Sequence, residues 1–248
     1  MLWTFDPVIS HRGASAYAPE NTLAAFDLAY AQGSRIIEFD VMLSADGEAF
    51  VFHDPQLTRT SNGHGEFGWS DSAYIQSLDA GSWFSPAYQD CRIPSLREVF
   101  AWLVHHRVTG QLEIKPYPGF TEETTRVVMA HIQDHWPRSH AKPLVSSFDP
   151  AALALCRQLS KDQPLALLPQ AWHTDVLQRA QELNVYAIHL CREDTTPERV
   201  TLIKDHGYCV CVYTIDDAND ARQLLQWGVD AVFSNRPDLL ATPVISVT

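Results

Sequence analysis

The sequence predicts an α/β protein of the TIM (β/α)8-barrel type, with a small inserted subdomain after the third strand. Three observations predict it. Apolar runs of four to six residues alternate with segments of helical period along most of the chain, the pattern of β/α units around a parallel sheet. The chain has 248 residues, close to the size of one such barrel. Charged residues gather at the C-terminal ends of the expected strands, the rim on which barrel enzymes carry their chemistry.

Taken in order, the candidate strands lie near residues 7–10, 35–41, 49–53, 111–115, 143–147, 165–168, 185–190, 208–213 and 230–233, one more than the fold needs. Between them the helix signals are clear. Ser95-Leu96-Arg97-Glu98 has the form of a capping box, and Leu96, Val99, Phe100, Leu103 and Val104 follow it as one apolar stripe. Asp149-Pro150 and Thr196-Pro197 each read as an N-cap followed by proline at the first helical position. Gly33, Gly207 and Gly228 stand where helices end.

The segment 39–54 carries Asp46-Gly47, a hairpin signal between apolar runs. As a two-residue hairpin it would pair Ala45 with Glu48 and set Asp40 opposite His53. The competing reading makes 49–53 a third parallel strand. Residues 55–94 lose the periodicity and are rich in Gly, Ser, Asn, Asp and aromatics, so they read as a subdomain inserted over the active face of a single barrel spanning 1–248.

Composition narrows the function. With 46% hydrophobic and 19% charged residues the chain is an ordinary globular one, which excludes disordered and fibrous classes. A net charge of −12 opposes broad binding to nucleic acids or anionic lipid surfaces, so an anionic ligand needs a locally built site. Five cysteines without a C-x-x-C pair signal neither a disulfide framework nor a zinc ribbon. The first residues lack a secretory leader pattern, and no run of 18 apolar residues occurs. A cytoplasmic protein without a membrane span is expected.

The rim residues carry the chemistry. Glu38 and Asp40 share one face of a strand, as do Glu113 and Lys115, because side chains at i and i+2 point the same way. Carboxylates turned into a barrel need a neutralising partner. An all-oxygen site selects one divalent cation, with Mg²⁺ foremost and Ca²⁺ or Mn²⁺ the alternatives to it. His11-Arg12-Gly13 opens the first β/α loop, where glycine permits close backbone approach and arginine can clamp a phosphate. His11 and His53 supply an acid and a base suited to neutral pH, with Arg12 and Lys115 as cations for phosphate oxygens. His189, inside an expected strand, stands out among the other histidines. There is no G-x-x-x-x-G-K-[ST] loop and no G-x-S-x-G elbow, which disfavours nucleotide triphosphate transfer and serine-esterase chemistry.

These motifs, with Ala18-Pro19-Glu20-Asn21-Thr22, His53-Asp54, Arg59-Thr60-Ser61-Asn62-Gly63, Ile93-Pro94-Ser95-Leu96, Ser146-Ser147-Phe148, Tyr213-Thr214 and Ser234-Asn235-Arg236-Pro237, run through nearly the whole chain. In them the sequence resembles the glycerophosphodiester phosphodiesterases of the small cytoplasmic bacterial type. The resemblance implies that Glu38, Asp40 and Glu113 bind the metal and that His11 and His53 act as acid and base. It also implies that Arg12, Lys115 and the pocket-wall Tyr213 contact substrate. The implied substrate is a small glycerophosphodiester such as glycerophosphocholine or glycerophosphoethanolamine, cleaved to sn-glycerol 3-phosphate and an alcohol. Two positions depart from the family pattern, Tyr213 where tryptophan is frequent and Asn235 where aspartate is frequent, and both are expected to shape the pocket walls without touching the chemistry. Two alternatives stand beside this reading. One is a phospholipase D-like enzyme acting on lysophospholipids, for which Trp69, Trp83, Phe84 and Tyr88 would form an apolar collar. The other is a non-catalytic barrel that binds a phosphometabolite.

Overall fold

A computed structural model describes residues 5–240. Eight parallel strands close into a barrel: β1 (Val8–His11), β2 (Ile36–Leu43), β4 (Thr109–Ile114), β5 (Leu144–Ser147), β6 (Leu165–Leu167), β7 (Ala187–Cys191), β8 (Cys209–Tyr213) and β9 (Ala231–Ser234). Closure comes from β1, which pairs with β2 on one side and β9 on the other. The ninth strand, β3 (Ala49–Val51), lies outside this ring and pairs antiparallel with the end of β2. All nine expected segments are therefore strands, and the hairpin reading of 39–54 holds.

Its register differs from the expected one. Val41 faces Val51 and Leu43 faces Ala49, while the Phe52 amide donates to the Asp40 carbonyl at 3.0 Å. Asp40 thus stands opposite Phe52, one residue short of His53. The turn holds three residues between Ser44 and Glu48, and Gly47 ends it at φ +85°, the left-handed position that a three-residue hairpin requires. Asp46-Gly47 signals the hairpin correctly, but its loop length is not fixed by that dipeptide.

Helices α1 (Leu23–Ala31), α3 (Leu96–His106), α4 (Thr121–His135), α5 (Pro150–Leu159), α6 (Val176–Glu182), α7 (Pro197–Asp205) and α8 (Ala218–Gln226) surround the barrel. Ser95 and Glu98 form the capping box at the start of α3, and Asp149 and Thr196 cap α5 and α7 ahead of a proline. Alternate strand residues divide between two cores. Phe39, Leu112, Ile114, Ile188, Val210 and Val212 face the helices. Ile9, Ile36, Leu144, Ala166, Ala187, Cys211, Ala231 and Phe233 plug the barrel interior. That apolar plug fills the lower barrel interior, and the polar inward-facing side chains gather above it toward the C-terminal mouth.

Residues 55–94 are ordered by other means than periodicity. They contain one short helix, α2 (Ser72–Ser77), and two 3₁₀ turns (Phe67–Trp69 and Pro86–Tyr88). Leu57, Phe67, Ile75, Leu78, Ala80 and Ile93 pack on Met42, Phe50 and Phe52 of the hairpin as a small core of their own. Of the aromatics expected either to pack or to form a collar, Tyr88 is tied down through its hydroxyl to the Tyr17 carbonyl at 3.1 Å. Trp69 stays 65% exposed, edge-on to Tyr117 and Phe120. Among the described residues no helix is long and apolar enough to cross a membrane.

Candidate active site

Parallel register builds the site. His11 aligns with Glu38 across β1 and β2, and Asp40 aligns with Glu113 across β2 and β4. The inward parity of these positions carries all four side chains to the mouth. One carboxylate oxygen from each of Glu38, Asp40 and Glu113 lies within 4.8 Å of the others, and all three residues are buried. His11, Arg12, Glu38, His53, Glu113, Lys115 and Tyr213 line a single cavity of about 180 Å³, whose walls also include Phe148 and Phe233. Seven of the eight residues expected at the site line this cavity, and Asp40, the most buried, joins them through the carboxylate cluster.

The first loop is bent to make this fit. Arg12 and Gly13 both adopt left-handed backbone, at φ 57° and φ 83°. A Cβ on residue 13 would come within 2.8 Å of the Ala25 backbone, so glycine is required there by space as well as by φ. The turn lets the Arg12 amide donate to Glu38, to its carbonyl at 2.9 Å and to Oε2 at 3.1 Å. The Arg12 guanidinium meets Glu20 Oε1 at 2.8 Å and Asp40 Oδ2 at 3.1 Å.

The three carboxyls are not equivalent. Burial works against the charge of Asp40, but Arg12, His53 and Lys115 outweigh it and hold its carboxyl below the usual range. Asn21 reinforces this by donating from Nδ2 to Asp40 Oδ2 at 2.9 Å. Glu38 is pushed well above the usual range by burial and by the neighbouring charge of Asp40. Glu113 rises for the same two reasons to about 7, although Lys115 Nζ donates to its Oε1 at 3.0 Å. Three clustered carboxyls with two of them driven upward are an under-neutralised oxygen cage. Its donor set fits a hard divalent cation such as Mg²⁺ or Ca²⁺ and offers no sulfur or nitrogen to a softer one.

Both imidazoles are oriented through Nδ1. His53 is held by Asp54, whose carboxyl is pulled down to about 2 by Arg59 and His53 against the opposing effect of burial. Arg59 donates to Asp54 and to both oxygens of Glu20, so a residue of the inserted segment ties His53 to the carboxylate that also holds Arg12. His11 Nδ1 lies 2.8 Å from Asn235 Oδ1. Asn235 Nδ2 donates to Asp216 at 2.6 Å, which fixes the amide so that its oxygen faces His11 and accepts the Nδ1 proton. Burial, then the charge of Arg12, lowers His11 to about 4. His53 is also lowered, by burial first.

Asn235 is not among the cavity-lining residues, where a wall position was expected, and stands behind His11 instead. Glu20, Asn21, Asp54 and Arg59 stand within the quoted motifs without an assigned role; Asp54 contacts its near neighbours His53 and Arg59, while Glu20 meets Arg59 and Asn21 meets Asp40, 39 and 19 residues away. Tyr213 lies at the cavity wall, with its ring edge-on to Phe148 at 6.1 Å between centroids.

A closed β/α barrel whose mouth carries a buried carboxylate cage, two oriented imidazoles and two cations is a barrel hydrolase by design. The pattern of the glycerophosphoryl diester phosphodiesterase family matches residues 11–239. A glycerophosphodiester phosphodiesterase of Bacillus subtilis (strain 168) is 33% identical over 250 residues, covering 93% of this chain and 84% of that protein. One of Caldanaerobacter subterraneus subsp. tengcongensis is 31% identical, with 94% and 95% covered. The solved structure of an Oleispira antarctica phosphodiesterase in complex with the product sn-glycerol-3-phosphate is 37% identical, superimposes with a TM-score of 0.91 and covers 94% of each chain. The chain belongs to the glycerophosphoryl diester phosphodiesterase family, and its activity is that of a phosphoric diester hydrolase acting on glycerophosphodiesters.

Proposed function

We propose that this enzyme cleaves small deacylated phospholipids, such as glycerophosphocholine or glycerophosphoethanolamine, to sn-glycerol 3-phosphate and the free alcohol, with His11 and His53 as its acid and base. The observation that carries this reading is the meeting of both imidazoles, the carboxylate cage and Lys115 around one small cavity. The product in the Oleispira antarctica complex agrees with it.

In this reading Glu38, Asp40 and Glu113 hold one divalent cation, Mg²⁺ by preference. Such an ion, when bound, would polarise a phosphoryl oxygen and offset charge in the transition state. Lys115 and Arg12 add donors for the non-bridging oxygens, and Tyr213 forms the wall beside them. With Nδ1 of each ring engaged, Nε2 is the working atom of both histidines. One Nε2 takes a proton from the attacking water as its oxygen bonds to phosphorus. The other delivers a proton to the leaving alkoxide as the ester bond breaks. Preorganisation by Asn235 and Asp54 keeps both rings aimed before substrate arrives.

Residues 55–94 serve as an inserted subdomain within a single barrel, and Arg59 links it to the site. Five free thiols suit a cytoplasmic enzyme. The exposed Trp69 beside Tyr117 and Phe120, together with the exposed Trp83, favours a lysophospholipid substrate.

The test is steady-state hydrolysis of glycerophosphocholine and lysophosphatidylcholine by the wild type, His11→Ala and His53→Ala. Each histidine variant should lose roughly 10²–10⁴-fold in kcat, the scale of acid–base groups. The choline diester should be the better substrate. Near-normal turnover by either variant would remove that histidine from the reaction, and preference for the lysolipid would move the substrate class.

A further inference from the structure

One layer below Glu113, and in register with Glu38, the cavity has a polar floor that the reaction above does not use. Gln111 precedes Glu113 by two residues on the same face of β4, so it lies about 6.5 Å deeper at the usual rise per residue. His189 stands on β7 with the inward parity of Ala187, and its ring packs on Phe233 at 5.0 Å between centroids. Both residues line the cavity, with Ser146 and Leu168 beside them.

These groups are buried, yet they lack partners within the protein. Neither ring nitrogen of His189 meets a donor or acceptor, nor does Oε1 of Gln111, although the residues are 0% and 1% exposed. Gln111 is held in this orientation because its Nε2 donates to Ser146 Oγ at 2.6 Å. A buried polar group without a partner costs stability, and three such atoms belong to two residues that line one cavity. Burial lowers the pKa of His189 to about 3, so its ring is neutral and offers one donor and one acceptor. A hydroxyl group has the same complement.

The geometry points to a diol-binding floor in which His189 and Gln111 Oε1 hold the two hydroxyls of the substrate's glycerol moiety, with its carbons against Phe233 and Leu168. It rests on the glycerophosphodiester reading and adds a specificity site to it. The drop from the rim to this floor is comparable with the reach from phosphorus to the far hydroxyl of a glycerol phosphate. Phosphate at the level of Glu113, which Lys115 Nζ reaches at 3.0 Å, and hydroxyls at the level of Gln111 therefore fit one molecule. His189 and Gln111 are specificity residues here and take no part in proton transfer.

Competitive inhibition separates this role from catalysis. The probes are sn-glycerol 3-phosphate and n-propyl phosphate, which share a carbon chain and a phosphate and differ in the two hydroxyls. Wild type should favour sn-glycerol 3-phosphate by roughly tenfold or more, the effect of one or two hydrogen bonds to otherwise unpaired groups. His189→Leu and Gln111→Leu should each reduce that ratio severalfold by weakening the diol probe alone, and His189→Gln should restore part of it. An unchanged ratio in both leucine variants overturns the inference. If one of them fails to fold by circular dichroism, the other carries the comparison, with His189→Gln beside it. The ratio is read without turnover, so a wild type that binds both probes but leaves glycerophosphocholine intact would refute the substrate reading and leave the floor standing.

Discussion

At the scale of single residues, the site depends on side chains that hold other side chains. His11 is aimed by Asn235, Asn235 by Asp216, His53 by Asp54, and Asp54 by Arg59. That the rim carboxylates and histidines would gather at one mouth was legible because such residues at the ends of apolar runs share the strands' inward parity. Their supports were not legible, since Asn235 lies 224 residues from His11 and no local pattern joins them. His189 could be singled out as a histidine within a strand, but only the fold gives it a cavity. Gly13 makes the tightest backbone demand. Gly13→Ala should cost about 2–4 kcal/mol, because it adds a left-handed penalty to a clash with the Ala25 backbone. In a chain of this size that is a fall of about 5–15 °C in the melting temperature. A scanning calorimetry shift below about 1 °C would mean that the loop can relax at no cost.

At the scale of elements, strands and capped helices were readable because each carries its own periodicity or cap. The register of the β2–β3 hairpin was not, since Asp46-Gly47 serves a three-residue turn as readily as a two-residue one. The inserted segment escaped for a different reason. Its order comes from acceptor clusters: Asp79 accepts from the amides of Gly81, Ser82 and Asp90, and Asp46 accepts from Ser44 and Ser72. Hydrogen bonds from Ser72 and Ser44 hold Asp46 down at about 2, and Asp79 is lowered further by its backbone donors. A carboxyl depressed in the folded state stabilises it above the unfolded value of about 3.9, and that contribution is lost as pH falls through the folded value. Below about pH 4 the insert should therefore loosen before the barrel. Tryptophan fluorescence, reporting Trp69 and Trp83 among others, should change ahead of the far-ultraviolet dichroism. Coincident transitions would show that these acceptors do not act locally.

At the scale of the whole molecule, a chain of net charge −12 has to accommodate an anionic substrate. The barrel plug closes the interior from below, and the rim gathers acid where the substrate's phosphate must arrive. Arg12 and Lys115 offset part of that acid, while burial and mutual repulsion leave Glu38 and Glu113 pushed upward. A divalent cation held by the three carboxylates would resolve the conflict by turning an acidic mouth into a phosphate site. The direct measurement is hydrolysis of glycerophosphocholine after exhaustive chelation, followed by titration with Mg²⁺ or Ca²⁺. Activity should vanish on chelation and return with about one ion per chain, as a single three-carboxylate cage requires. Full turnover in the metal-free protein would contradict the account.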